Sequence, residues 1–143
     1  MELLGDPARC QVLLVTLPEE TPVNEAADTA TALRQRVGVR LGAVVVNGVY
    51  PNLKGLEADP EELGSLAGAS LRPGDAEALR AAAEFRARRQ ELQQEQVTRL
   101  AASVDLPQLH LPFVFETDLG PSEVETLADE LAAAIGDLGE PTE

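Results

Sequence analysis

Three short segments of this chain are almost entirely apolar: residues 11–16, 41–47 and 108–114. Such segments fit strands that are covered on both faces, because a strand with one face in water alternates apolar and polar side chains. Between the first two segments, residues 23–37 carry apolar side chains at helical spacing. A strand, a helix and a strand joined by short links run with the two strands parallel. We therefore expect an α/β fold in which a parallel β-sheet is flanked by helices.

Two more helices follow from the pattern. Residues 75–104 contain neither Gly nor Pro and predict the longest helix. Three large apolar side chains lie near one face of that helix: Phe85, Leu92 and Leu100. Residues 121–135 predict the last helix, with apolar side chains in a core-facing stripe: Val124, Leu127, Leu131 and Ile135. Residues 136–143 are expected to be a frayed end.

Between the second strand and the long helix, residues 48–74 are rich in Pro and Gly and predict a long excursion from the sheet. A short helix is expected within it, capped by Asp59 and with Pro60 at its first position. Long loops in compact domains are often functional or mobile, and the sequence leaves both interpretations open. We expect residues 1–143 to form one partial α/β domain with this excursion.

The formal net charge is −14, which argues against nucleic acid and anionic membrane surfaces as partners, since both would repel the chain. No apolar run approaches the roughly 20 residues that a membrane span needs, so direct membrane insertion is not expected. Residues 1–6 lack the basic start and apolar core of a signal peptide. The expected location is the cytoplasm. Arg outnumbers Lys ten to one, a bias that we interpret as that of a GC-rich bacterial genome.

Candidate binding residues follow the strands, because ligands of open parallel sheets sit beyond the carboxyl ends of the strands. Asn47 ends the second apolar segment, Glu19 follows the first, and Phe115 follows the third. The carboxamide of an Asn offers a donor and an acceptor together, which matches an edge of adenine. The alternative is that Asn47 is a turn residue and that the Pro and Phe residues after the third strand only end it.

The arginines of the long helix also leave two interpretations open. One is a contact with phosphate or with a partner protein. The other is a solvated helix face with ion pairs one turn apart, Glu84 with Arg88 and Glu95 with Arg99.

The residues offer no catalytic or metal-binding constellation. His110 is the only histidine and lies in an apolar strand, and Cys10 is the only cysteine and fits a small buried side chain. No serine stands in a nucleophile turn, and no His and Cys cluster suggests a metal site. A glycine-rich phosphate-binding loop does not occur in the 143 residues.

Six short motifs occur in one order along the chain: Pro18-Glu19, Glu25, Val45-Val46-Asn47, Arg89-Gln90, Leu111-Pro112 and Gly120. This order resembles the C-terminal half of the anion-transporting ATPases, also called arsenical pump-driving ATPases. That family includes the guided-entry ATPases that deliver tail-anchored membrane proteins. The resemblance covers nearly the whole chain except residues 48–74.

The resemblance implies the C-terminal half of a deviant P-loop NTPase fold. It also implies that Asn47 contacts adenine and that Pro112, Phe113 and Val114 form the adenine-side loop. The cofactors of the complete enzyme would be ATP and Mg²⁺, whose metal ligands are not in this chain. Because the chain lacks the phosphate-binding loop, we expect it not to hydrolyse ATP alone.

The partners that the resemblance implies are an N-terminal ATPase half or a paralogous ATPase subunit. The start of the chain, residues 1–6, resembles the middle of a helix, which suits a segment of a longer protein. An alternative is a non-catalytic interaction module that pairs with a full-length paralogous ATPase or with a hydrophobic client, such as a membrane protein.

Overall fold

The computed structural model describes residue 6 and residues 9–138, so the expectations for residues 1–5 and for the last five residues lie outside the described part. The strands form one parallel sheet in the order β1-β2-β3. They are β1 Val12–Thr16, β2 Leu41–Val49 and β3 Gln108–Pro112. The helices are α1 Glu20–Ala32, α2 Pro60–Leu66, α3 Asp75–Ser103 and α4 Pro121–Asp137. The predicted fold class, a parallel sheet flanked by helices, is confirmed.

The core lies on one face of this sheet, beneath α1 and α3. Val23 of α1, Val44 and Val46 of β2, and Leu100 of α3 are fully buried there. Each such side chain contributes about 1.5–3 kcal/mol when it leaves water. The opposite face is covered mainly where α4 packs against β3.

Helix α1 begins at Glu20, three residues before the helical pattern predicted from residue 23. Pro22 lies within the first helical turn, where proline is tolerated because the N–H groups of that turn have no helical partner. The helix continues as a π-helical turn over Leu33–Val37. Gly38 ends it with a φ of 70°, and its N–H donates to the carbonyl of Leu33 at 2.9 Å. The predicted end of the helix is confirmed.

The predicted short helix within the excursion is also confirmed, as α2. The Asp59 carboxylate caps it by accepting hydrogen bonds from the N–H groups of Glu61 and Glu62 at 2.9 and 3.2 Å. Its other oxygen accepts one from Arg80 of α3 at 3.1 Å. Residues 48 and 49 belong to β2, so the excursion begins at Tyr50 rather than at residue 48.

The buried face of α3 agrees with the prediction at Leu100 and differs from it at Phe85 and Leu92. Phe85 is 66% exposed and Leu92 is 43% exposed, while the buried residues are Gln93, Val97 and Leu100. The helix is 29 residues long, and the three-stranded sheet lies beneath its C-terminal part. Its N-terminal part therefore packs against α2 instead of against strands.

The stripe predicted for α4 is only partly covered. Leu127 and Leu131 are half-buried, whereas Val124 is 61% exposed and Ile135 is 53% exposed. The physical reason is the narrow sheet, because α4 packs on the edge strand β3 and its ends extend past the strand. The helix runs to Asp137, two residues beyond the predicted end.

Candidate functional site

The carboxyl ends of the strands bring the predicted binding residues to one edge of the sheet. In the parallel register, Asn47 of β2 lies opposite Leu111 of β3, and Val49 lies opposite Pro112. Asn47 is exposed. The N–H of Phe113 donates to the carbonyl of Val49 at 2.8 Å, which continues the pairing one residue beyond β3.

Gly48 shapes the end of β2. Its φ of 78° lies in the left-handed region that favours glycine, and the register of β2 with β3 shifts between Asn47 and Val49. A Cβ at this position would lie 3.6 Å from the ring of Phe113 and 3.9 Å from the side chain of Leu17. The glycine therefore bends the strand end where the loops after β1 and β3 approach it.

Asn47 lines a cleft of about 350 Å³ beside the carboxyl end of β1 and α1. The other lining residues come from β1, the following loop and α1: Leu14, Val15, Thr16, Leu17, Pro22, Glu25, Ala26 and Thr29. Glu25, one of the residues that carry the family resemblance, thus shares this cleft with Asn47. The lining does not include Pro112, Phe113 or Val114, which lie on the other side of the end of β2.

Phe113 belongs instead to a cluster of three aromatic rings, formed with Tyr50 and Phe115. The Tyr50 ring lies 5.1 Å from each of the two Phe rings, edge to face, and the two Phe rings are 4.7 Å apart. Edge-to-face pairs at such distances contribute about 0.5–1.5 kcal/mol beyond the area that they bury. Phe113 and Phe115 remain exposed, so the cluster presents aromatic surface beside Asn47.

Arg86 of α3 covers part of this cluster. Its guanidinium carbon lies 4.4 Å from the centre of the Tyr50 ring and 4.5 Å from the centre of the Phe115 ring. The same group donates to the carbonyl of Pro51 at 3.1 Å and to the Gln90 side chain at 3.2 Å. The arginine thus joins the long helix to the segments that follow both β2 and β3.

Gln93 lies one turn from Gln90 and is 5% exposed. Its amide nitrogen donates to the carbonyl of Gly48 at 3.1 Å, and its oxygen accepts from the N–H of Tyr50 at 2.8 Å. The carboxamide therefore uses both of its functions on the backbone at the end of β2.

The ion pairs of α3 do not follow the predicted spacing. Among the described residues, the pairs join α3 to other elements rather than to its own next turn. Arg89 lies 3.4 Å from Glu19, after β1, and Arg99 lies 4.0 Å from Glu20, at the start of α1. The expected pairs of Glu84 with Arg88 and of Glu95 with Arg99 are absent from this part of the chain. The start of α1 lies against α3, so its carboxylates meet the arginines.

His110 lies on β3 and is exposed at the edge of the sheet. A ring nitrogen lies 3.1 Å from the side-chain oxygen of Gln108. Partial desolvation lowers the pKa of this imidazole below its ordinary value of 6.5. Within the described residues, no group of three or more His, Cys, Asp and Glu side chains is placed to hold a metal ion.

An apolar groove of about 560 Å³ lies between the excursion and the N-terminal part of α3. Its walls are mostly leucine, alanine and glycine, with Arg86 at one end: Leu53, Gly55, Leu56, Ala58, Pro60, Leu63, Gly64, Ala67, Leu71, Leu79, Ala82, Ala83 and Arg86. Leucines that are scattered in the sequence are thus assembled into one surface.

Sequence comparison adds one finding to this geometry. A segment of 47 residues, 33% of the chain, is 51% identical to the arsenical pump-driving ATPase of Escherichia coli. The chain contains a segment similar to part of that ATPase. The similarity spans 8% of the relative's own length, and no family model matches the chain. Over the part of the chain that the structure describes, each helix is too short or too polar to cross a bilayer.

The sequence patterns did not identify two residues of this site, Tyr50 and Gln93. Tyr50 falls three residues after Asn47 and is the only tyrosine, which is the signal that points to it. Gln93 carries no such signal, because a glutamine in a helix rich in Gln, Glu and Arg looks like a surface residue. Only its position against the end of β2 distinguishes it.

Proposed function

We propose that this chain is the C-terminal segment of an anion-transporting ATPase related to the arsenical pump-driving ATPases. In the complete assembly it contributes the adenine-side wall of an ATP site, built from Asn47 and from Pro112, Phe113 and Val114. It also provides a surface for the part that carries the phosphate-binding loop. The observation that carries this proposal is the 47-residue segment with 51% identity to such an ATPase.

The chemistry of the sheet edge supports an adenine contact. The Asn47 carboxamide can donate and accept at once, as the edge of adenine requires, and it is exposed at the end of β2. Phe113 uses its N–H in the bond to Val49, so its contribution is the exposed ring rather than a backbone donor. Aromatic rings bind nucleobases by stacking, at about 1–3 kcal/mol per base.

The chain alone would not hydrolyse ATP, because it lacks a phosphate-binding loop and carries a negative net charge. Phosphoryl transfer needs backbone N–H groups, a Lys and a metal ion around the phosphates. The 143 residues contain no glycine-rich phosphate loop, and the net charge of −14 repels a triphosphate. Mg²⁺ and its ligands would therefore come with ATP and the partner half.

The test is reconstitution of nucleotide binding. The chain is mixed with a separately produced N-terminal ATPase half that carries a phosphate-binding loop, and the binding of a fluorescent ATP analogue is titrated. We expect the mixture to bind the analogue more tightly than either part does. Asn47→Ala should weaken binding of the ATP analogue. It should also reduce the preference of the mixture for this analogue over the corresponding fluorescent GTP analogue.

Asn24→Ala is the matched control, because Asn24 is exposed on α1 and does not line the cleft. Binding that is unchanged by Asn47→Ala would remove the adenine role of this residue. A mixture that never binds the ATP analogue would remove the proposed function itself.

The second candidate is a non-catalytic interaction module, and β1 is the observation that favours it. This edge strand has no charged residue, and Leu13 and Val15 are 52% and 65% exposed. Natural edge strands usually carry charges or bulges that discourage pairing with another chain. Native mass spectrometry of the chain with a full-length paralogous ATPase tests this candidate. A 1:1 complex that forms without nucleotide and is abolished by Val15→Lys would support it.

A further inference from the structure

The backbone of residues 48–50, here called the turn, bends at Gly48 but stays paired with β3 at Val49. β1 pairs with β2 only as far as Val46, and the register with β3 shifts once, between Asn47 and Val49. The Gly48 carbonyl and the Tyr50 N–H lie beyond the last residue that β1 pairs, and such groups need other partners when they are not in water. Gln93 supplies both, by donating to the Gly48 carbonyl and accepting from the Tyr50 N–H.

The two bonds lie on either side of the residues that form the candidate site. Asn47 directly precedes Gly48, and Tyr50 carries the ring that contacts Phe113 and Phe115. The turn between them has one left-handed residue, Gly48, and β3 holds it through Val49. Gln93 is buried in α3, a rigid element, so it can hold this turn in one conformation.

Neighbouring side chains of the same helix face act on the following residues. Arg86 donates to the carbonyl of Pro51, and Gln90 donates to the side chain of Asn52 at 3.3 Å. The positions 86, 90 and 93 are spaced by four and three residues, so they share one face of the helix. This face is polar where it meets the turn and becomes apolar at Val97 and Leu100, where it meets the sheet.

We propose that Gln93 is a positioning residue for the adenine-side wall, and this inference rests on the proposed function. By holding the Gly48 carbonyl and the Tyr50 N–H together, it sets the direction of the Asn47 carboxamide and the place of the Tyr50 ring. It does not touch the nucleotide. A residue that only filled the core would be replaced equally well by any side chain of similar volume.

The variants separate these two roles by chemistry. Gln93→Leu has nearly the same volume but neither donates nor accepts. Gln93→Glu keeps the acceptor for the Tyr50 N–H but, when ionised, has no donor for the Gly48 carbonyl. Gln94→Leu is the matched control, because Gln94 is the exposed next residue of the same helix.

The first measurement is amide hydrogen exchange of the full chain by NMR. Gln93→Leu should speed exchange of the Tyr50 amide by about tenfold or more, because its acceptor is lost. The Val46 and Leu100 amides should exchange as before, which shows that the fold persists. Gln93→Glu should retain most of the protection at Tyr50, and Gln94→Leu all of it. Equal protection of Tyr50 in Gln93→Leu and in the parent chain would overturn the proposal.

The second measurement uses the mixture with the N-terminal half and compares binding of the ATP and GTP analogues. Gln93→Leu should reduce the preference for the ATP analogue, with Gln93→Glu between it and the parent. An unchanged preference despite faster exchange at Tyr50 would also overturn the positioning role. Failure of the parent mixture to bind either analogue would refute the proposed function, while the exchange measurement would still decide whether Gln93 holds the turn.

Discussion

The guanidinium of Arg86 lies over the ring of Tyr50, 4.4 Å from its centre, and the same group donates to the carbonyl of the next residue, Pro51. One side chain of α3 thus holds both the ring and the backbone of the segment that follows β2. Because the chain has no Trp and Tyr50 is its only tyrosine, the intrinsic fluorescence of the protein reports this contact.

Arg86→Met should lower the free energy of unfolding by about 1–2 kcal/mol, because it removes cation–π contacts with two rings and the bond to Pro51. The stability of Arg86→Lys should lie between those of the parent chain and Arg86→Met, since an ammonium lacks the flat group that covers both rings. Urea denaturation followed by Tyr50 fluorescence measures the free energy of unfolding of both variants. Arg88→Met, on an exposed position of the same helix, should leave the midpoint nearly unchanged. Equal midpoints for Arg86→Met and Arg88→Met would contradict the contact.

Leu100→Ala should lower the free energy of unfolding by about 2–5 kcal/mol, because it leaves a cavity in a fully buried part of the core. Leu92→Ala should cost less than about 1 kcal/mol, because Leu92 is 43% exposed. Chemical denaturation followed by circular dichroism compares the two. Similar losses would mean that Leu92 is buried as Leu100 is, which would contradict its observed exposure.

Gly48→Ala should destabilise the chain by about 1–2 kcal/mol, because a residue with a Cβ is strained at a φ of 78°. The same substitution at Gly136, in the exposed last part of α4 and with no atom near the added Cβ, should instead raise stability by about 0.5–1 kcal/mol. If the end of β2 has the described bend, the melting temperature should fall for Gly48→Ala and rise for Gly136→Ala. Stabilisation by both substitutions would argue against it.

Protonation of Asp59 should loosen α2. The N–H groups of Glu62 and Glu61, and then Arg80, hold the pKa of this carboxyl below its ordinary value of 3.8. A depressed pKa means that the unfolded state binds the proton more readily. The stabilisation is therefore complete above pH 3.8 and is lost as the pH falls below 3.8 through the lower folded pKa.

Amide exchange at Glu61 and Glu62, measured as the pH is lowered, follows this change. Asp59→Asn is the control, because an asparagine also caps helices but does not titrate in this range. The difference between the parent chain and the Asp59→Asn variant should change only as the pH falls below 3.8, the ordinary pKa of the carboxyl. A difference in amide exchange that stays constant at every pH would show that the charge of Asp59 does not stabilise α2.

Much of the architecture follows from local patterns. Uninterrupted apolar segments predict the strands, and their alternation with helical segments predicts parallel pairing. The expected cover on both faces is wrong for β1, where Leu13 and Val15 are exposed. Asp59 and Pro60 predict the start of α2, because a cap and a first-turn proline act through backbone groups a few residues away. The meeting of Asn47 and Pro112 at one edge follows from the parallel register. Their contact with adenine stays a prediction.

The contacts of long side chains did not follow from such patterns. Spacing along the helix favours Arg99 with Glu95, whereas the folded chain pairs Arg99 with Glu20 and Arg89 with Glu19. A flexible arginine can reach several carboxylates, and which one it meets depends on the neighbouring helix.

The buried position of Gln93 also depends on tertiary packing and not on its local sequence. Hydrogen-bond preferences of the backbone and the spacing of apolar residues are local properties, so the succession of strands and helices and the parallel direction of the strands can be derived from the chain alone. Which side of α3 faces the sheet depends on where a 29-residue helix crosses three short strands. That crossing places a glutamine beside a carbonyl and an N–H at the end of β2, beyond the last residue that β1 pairs. The packing of distant segments, and not its neighbours in the sequence, gives it a partner for each end of its amide.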